Sequence, residues 1–216
     1  MTTVTESWRR IDGWLARYAP DDAALLAPPA DPAEIVAAEA TLGLSFPPEL
    51  VESLRRHNGL VEWANMFPER VPLSVARIVE HRQMCMEIDE FDDDDEAFAE
   101  AGFPPEERDD EPWWHELWLP FAESDGDSQV IDLRPGPGYG RLGWAIHDDR
   151  GTFDGAWPSL GAYLAETAEV LASGGEVRRR VPYLTVDNRL WWGLAGETEL
   201  HGRPLRPAPT GLPTAS

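Results

Sequence analysis

Apolar residues recur every three or four positions in four stretches of the first half of the chain, and this spacing predicts helices. The stripes are Trp8, Ile11, Leu15 and Tyr18; Ile35, Ala38 and Leu42; Leu50, Val51 and Leu54; and Val75, Ile78 and Val79. End signals support the second helix, because Asp31 can cap it, Pro32 suits its first position and Gly43 can end it. Ser74 can cap the fourth helix. The chain therefore begins with a group of short amphipathic helices.

The second half of the chain shows short apolar runs separated by turn residues. Runs at 118–121, 129–133 and 141–147 predict strands, and the turns between them contain Asp125-Gly126 and the Pro-Gly repeat at 135–138. Ser159 can then cap a last helix. Helices first, strands next and a helix last predict an α+β fold, with a mixed, mainly antiparallel sheet flanked by N-terminal helices and a C-terminal helix.

The chain is strongly acidic. Its 216 residues carry a formal charge of −22, with forty acidic residues against eighteen arginines and no lysine. Fifteen acidic residues and a single arginine lie between 87 and 116, which predicts a loop or an exposed insertion there. A surface of this sign disfavours nucleic acid and anionic membranes and favours basic partners. The alternative is that the charge only aids solubility.

Candidate chemistry is sparse. Cys85 is the only cysteine, so an intrachain disulfide is excluded, and no secretion signal or long apolar stretch is present, which predicts a cytoplasmic protein. Asp125, Asp127 and Asp132 could suggest calcium, but the twelve-residue calcium loop is absent and a turn between strands is favoured. The five histidines are scattered. The sequence therefore predicts no catalytic residue, no metal and no cofactor.

Several motifs occur in a characteristic order. They are Glu34-Ile35, Glu39, Leu42-Gly43, Phe46-Pro47-Pro48-Glu49-Leu50, Leu54 and Asn58-Gly59, followed by Trp118-Leu119-Pro120-Phe121, Gly126-Asp127, Asp132, Pro135-Gly136, Ser159-Leu160 and Tyr163-Leu164. This order resembles the SUKH superfamily, the Smi/Knr group of cell-wall assembly regulators and immunity proteins. The similarity covers roughly residues 8–172.

The resemblance implies a platform for protein partners without a catalytic centre. We therefore expect a non-enzymatic module, either an immunity protein that neutralises a cognate toxin, possibly a nuclease, or a regulatory or scaffolding module that binds an endogenous protein. The expected organisation is a SUKH-like domain at 1–175 with the acidic insertion at 87–116, a C-terminal extension at 176–203 with a possible hairpin, and a Pro-rich disordered tail at 204–216.

The acidic insertion with its tryptophans is the candidate partner-binding element. The residues are Asp92, Asp93, Asp94, Asp95, Glu96, Trp113 and Trp114. Carboxylates would speed encounter with a basic toxin surface. Tryptophans that are exposed in the free protein would become buried on binding and act as anchors of the interface. The alternative is a solvated loop whose tryptophans fold back into the core.

Overall fold

A computed structural model of the chain describes residues 3–91 and 112–211. Within these ranges the chain forms six helices: α1 Val4–Tyr18, α2 Pro20–Ala23, α3 Pro32–Leu42, α4 Pro48–Leu54, α5 Val75–Phe91 and α6 Leu160–Ser173. None of the helices in the described part is long and apolar enough to cross a membrane. The predicted helices are all present.

The helix ends form as the sequence predicts. The carboxylate of Asp31 accepts a hydrogen bond from Ala33 N at 2.8 Å, and Ser159 Oγ accepts one from Ala162 N at 3.3 Å. Gly43 ends α3 with a positive φ of 65°, a conformation that glycine adopts without steric cost. These local interactions satisfy backbone groups that a helix leaves unpaired at its ends.

The central sheet has four strands in the order β1-β2-β3-β4: β1 Val71–Pro72, β2 Trp118–Ser124, β3 Asp127–Asp132 and β4 Leu142–Ala145. All three pairings are antiparallel. Asp125 and Gly126 both have positive φ, so they form the tight turn that joins β2 to β3. The sheet and the helices together confirm the predicted α+β fold.

The C-terminal extension forms further antiparallel strands: β5 Arg180–Leu184, β6 Leu190–Leu194, β7 Glu199–Leu200, β8 Arg203–Pro204 and β9 Arg206–Pro207. Strand β5 lies between β6 and β9, and β7 pairs with β8. Strands β5 and β6 form a hairpin, with Asn188 in the turn at a φ of 57°.

Part of the tail that we expected to be disordered is ordered. Residues 204–211 belong to the described structure, and Pro207 pairs with Tyr183. Ala208 N donates to Pro182 O at 3.0 Å, and Trp14 Nε1 donates to Pro209 O at 2.9 Å. Residues 212–216 lie outside the described part. The tail is held by partners distant in sequence, which local composition does not reveal.

The extension packs against the first helices. Asp22 is buried, and its carboxylate accepts hydrogen bonds from Leu190 N at 2.5 Å and from Arg189 Nε. Trp192 is also buried, and its Nε1 donates to Met66 O at 3.1 Å. Buried residues of α1 and of the extension also belong to one apolar cluster. The extension and the N-terminal helices therefore share one core.

Candidate protein-binding surface

Helix α5 leads into the acidic insertion, and its two faces differ in character. Ile78, His81 and Cys85 on the inner face are buried, whereas Met84 and Ile88 expose 45% and 49% of their surface. Residues four apart lie on the same side of a helix, so Met84 and Ile88 form one apolar strip. The sequence did not predict this strip. The only signal for it was that Met84 and Ile88 do not belong to the apolar positions that predict the buried face of the helix.

Carboxylates border the apolar strip. Glu80 and Glu87 are exposed on the same helix. Arg77 Nη1 donates to Glu80 at 2.7 Å, but both side chains are more than half exposed, so the ion pair is weak. Exposed apolar groups with an acidic border suit a partner that carries apolar and basic groups together.

The two tryptophans that precede β2 differ in exposure. Trp114 is only 1% exposed, and its ring lies 5.9 Å from that of Trp113 and 6.3 Å from that of Trp118. Trp114 therefore folds back into the protein, which is the alternative considered in the sequence analysis. Its ring packs in an apolar cluster with Cys85 and Val130. Trp113 packs on the same cluster and is half-buried.

The described residues that follow the acidic insertion are held by hydrogen bonds. Arg82 on α5 donates a hydrogen bond to Glu116 O, and Gly151 N donates to Pro112 O at 2.9 Å. The predicted contact residues 92–96 lie outside the described residues, and their role in binding stays a prediction. The hydrogen bond between Arg82 and Glu116 O therefore joins α5 to the residues that precede β2. We call Glu80, Met84, Glu87, Ile88 and Trp113 the α5 surface.

His81, Cys85 and Ser128 form a buried polar group behind the α5 surface. His81 Nε2 lies 2.6 Å from Ser128 Oγ and 3.7 Å from Cys85 Sγ. Burial lowers the pKa of His81, so the imidazole is neutral at physiological pH. A thiol beside a histidine can act as a nucleophile, but His81 is only 3% exposed and Cys85 2%, so a substrate has no access.

Asp127 and His147 join the β2–β3 turn to the end of β4. Asp127 accepts hydrogen bonds from His147 Nδ1 at 2.8 Å and from Arg70 Nη2 at 2.7 Å. Burial is the largest single effect on Asp127 and opposes ionisation, but the two hydrogen bonds from His147 and the charge of Arg70 together lower its pKa. The side-chain hydrogen bond to Asp127 raises the pKa of His147. Ligand atoms of Asp127, His147 and Asp148 lie within 4.8 Å of one another, but Arg70 and His147 already hold the two oxygens of the Asp127 carboxylate by hydrogen bonds.

Asp132, the other carboxylate considered for calcium, binds two arginines. Its side chain is 2% exposed, and it accepts hydrogen bonds from Arg134 Nε at 2.8 Å and from Arg141 Nε at 3.0 Å. Burial opposes ionisation, but these hydrogen bonds lower the pKa of Asp132. The carboxylate thus serves to hold the loop between β3 and β4.

A small cavity lies between α1, α4, α6 and the sheet. Its volume is about 30 Å³, and Trp8, Leu54, Phe121 and Leu164 contribute to an apolar lining. This volume holds about one water molecule, so it cannot hold a substrate. A larger depression of about 220 Å³ lies on the C-terminal extension beside Arg189 and Arg203.

Comparison with known proteins gives one family. The model of the SMI1 / KNR4 family (SUKH-1) matches residues 29–166. The match runs from α3 to the first half of α6 and includes the central sheet, the acidic insertion and the α5 surface. Helices α1 and α2 and strands β5 to β9 lie outside the match. No curated protein matches the chain significantly.

Proposed function

The chain belongs to the SMI1 / KNR4 family (SUKH-1), and from this premise we propose that it is a cytoplasmic immunity protein that binds and neutralises a cognate toxin. Membership of the family is consistent with a non-enzymatic immunity or regulatory module. The observation that carries the finer proposal is the charge: −22 for the chain, with fifteen acidic residues against one arginine between 87 and 116.

The proposed mechanism is steric and electrostatic. A toxin that cleaves nucleic acid needs a basic active site to hold phosphates, so an acidic insertion is attracted to that site and excludes the substrate. The proposed contacts are residues 92–96 and Trp113, while Trp114 supports Trp113 from the apolar cluster. Met84 and Ile88 add apolar area that charge alone does not supply.

The direct test uses the toxin domain encoded beside the gene of this protein. We expect the purified protein to form a stoichiometric complex with that domain and to abolish its activity in vitro. Absence of both a complex and protection would contradict the proposal.

A charge-matched pair of variants tests the acidic insertion. The first variant replaces Asp92, Asp93, Asp94, Asp95 and Glu96 by Asn or Gln. The control removes five exposed carboxylates elsewhere, namely Asp148, Asp149, Asp154, Glu176 and Glu199. We expect the first variant to bind the toxin domain about tenfold or more weakly and the control to bind within about threefold of the unmodified protein. Equal losses would show that total charge alone matters.

The second candidate is a regulatory or scaffolding module that binds an endogenous protein. It is favoured by the ordered C-terminal extension, which lies outside the family match and adds surface to the domain. Gene context separates the two. A neighbouring gene for a large secreted protein with a variable C-terminal domain favours the immunity role, and the absence of such a gene favours the regulatory one.

A further inference from the structure

Trp63 is the most exposed tryptophan of the protein. All ten tryptophans lie within the described residues; seven are buried, Trp113 and Trp191 are half-buried, and Trp63 alone is exposed, at 64%. Val61, two residues before it, is 62% exposed. Exposing so much apolar area to water is unfavourable, so a tryptophan held outward is a candidate for contact with another protein.

The loop that carries Trp63 is anchored on both sides. Before it, Leu60 bridges to Leu26, and Val61 N donates to Leu25 O at 2.9 Å. After it, Met66 and Phe67 are buried at 1% and 2% exposure. The loop therefore presents Trp63 from fixed points, which reduces the conformational entropy that binding costs.

Distant parts of the chain reinforce the second anchor. Trp192 Nε1, from the C-terminal extension, donates to Met66 O at 3.1 Å. The ring of Trp8, from α1, packs edge-on against Phe67 at 5.6 Å. Two regions outside the family match thus hold the base of this loop.

We propose that Val61, Glu62 and Trp63 form a second docking point, at which Trp63 enters an apolar recess bordered by basic side chains on a partner protein. This inference rests on the proposed function and adds a contact site to it. Charge selects the occupant. Glu62 is exposed between the two apolar residues, so a carboxylate lies directly beside Trp63 in the chain. A second copy of a chain with charge −22 and an anionic membrane are both repelled.

The test compares two exposed apolar residues that do not support the core. Trp63→Ala removes the anchor, and Val36→Ala is the control, because Val36 on α3 is also 64% exposed. Against the neighbouring toxin domain, we expect Trp63→Ala to raise the dissociation constant about tenfold or more and Val36→Ala to change it less than about twofold. Thermal unfolding should be the same for both variants. Equal binding of Trp63→Ala and the unmodified protein overturns the inference and leaves the proposed function standing.

If the toxin domain does not bind, the proposed function is refuted, and a second measurement then tests the inference about Trp63. Peptides are selected from a random displayed library against the unmodified protein. We expect selected peptides rich in Arg or Lys around apolar residues, with binding reduced about tenfold or more by Trp63→Ala. Peptides that bind Trp63→Ala equally well overturn the inference.

Sedimentation velocity tests whether a second copy of the chain occupies the site. A dimer that Trp63→Ala dissociates would assign the site to a second copy and also overturn the inference.

Discussion

His81 shows how burial sets the charge of a side chain in this protein. Burial is the largest influence on it and lowers its pKa below the ordinary 6.5; the opposing effect of Glu123 is smaller. As the pH falls, the unfolded chain therefore takes up a proton at this residue before the folded protein does. The stability contributed by neutral His81 is complete above about pH 6.5 and is lost as the pH falls below it.

Replacing His81 by Gln should remove this pH dependence, because an amide keeps a hydrogen bond to Ser128 and does not titrate. Relative to His81→Gln, the unmodified protein should lose on the order of 1 kcal/mol in the free energy of unfolding between about pH 7 and about pH 5. Urea denaturation at several pH values measures the difference. The control is His201→Gln, at an exposed position, which should follow the unmodified protein. Parallel curves for all three proteins would contradict the assignment.

Residue roles differ in how far the sequence alone could predict them. The caps Asp31 and Ser159 were predictable, because their partners lie two or three positions away. The different exposure of Trp113 and Trp114 was not, because it depends on an apolar cluster that α5, β3 and β4 assemble. The exposure of Trp63 was not predictable for the same reason. No local pattern shows that Met66 and Phe67 are buried while the ring of Trp63 is exposed.

The C-terminal extension is the element that most changes the expected organisation. Val177, Leu184, Leu190 and Trp192 belong to the same apolar cluster as residues of α1 and the central sheet. Arg178 adds a surface contact, with its guanidinium 3.9 Å from the centre of the Trp144 ring. The division into a domain at 1–175 and a separate extension stays a prediction, but a shared core favours folding of the two as one unit.

Adjacent tryptophans on β6 test this shared core. Trp192 is 1% exposed and bonded to Met66 O, whereas Trp191 is half-buried and donates to Glu197 at 3.3 Å. Trp192→Ala should lower the free energy of unfolding by about 3–5 kcal/mol, because it leaves a large cavity, and Trp191→Ala by about 1 kcal/mol. Chemical denaturation measures both. One cooperative transition is expected, and a Trp192→Ala protein that loses only the C-terminal strands would show that the extension folds separately.

Elements were predictable from the sequence where periodicity was local. The helical stripes and the β5–β6 hairpin follow from spacing and turn residues. Strand β9 was not predictable, because Arg206 and Pro207 have no strand pattern and are placed by pairing with Leu184 and Tyr183. The α5 surface was predictable only in part: the inner stripe fixes which residues face outward, but the contact with Trp113 is non-local.

Charge is unevenly distributed along the chain. The segment 87–116 has a formal balance of −14, from fifteen acidic residues and one arginine, while residues 176–211 contain six arginines and four acidic residues. The segment 87–116 is therefore the part of the chain that attracts a basic partner most strongly. Exposed charges act over about 8–10 Å at physiological salt, so this attraction governs encounter more than the final contact.

Removing residues 92–111 and joining the ends by a Gly-Ser linker should separate encounter from docking. The deletion eliminates eleven acidic residues and Arg108. For the unmodified protein, the association rate with the toxin domain should fall at least about tenfold between about 50 mM and about 500 mM NaCl. The deletion variant should associate slowly at low salt and respond weakly to added salt. Trp63→Ala should instead raise the dissociation rate and keep the salt response, since an apolar anchor acts after encounter. An unchanged association rate in the deletion variant would leave the acidic insertion with no role beyond solubility, whichever partner the protein binds.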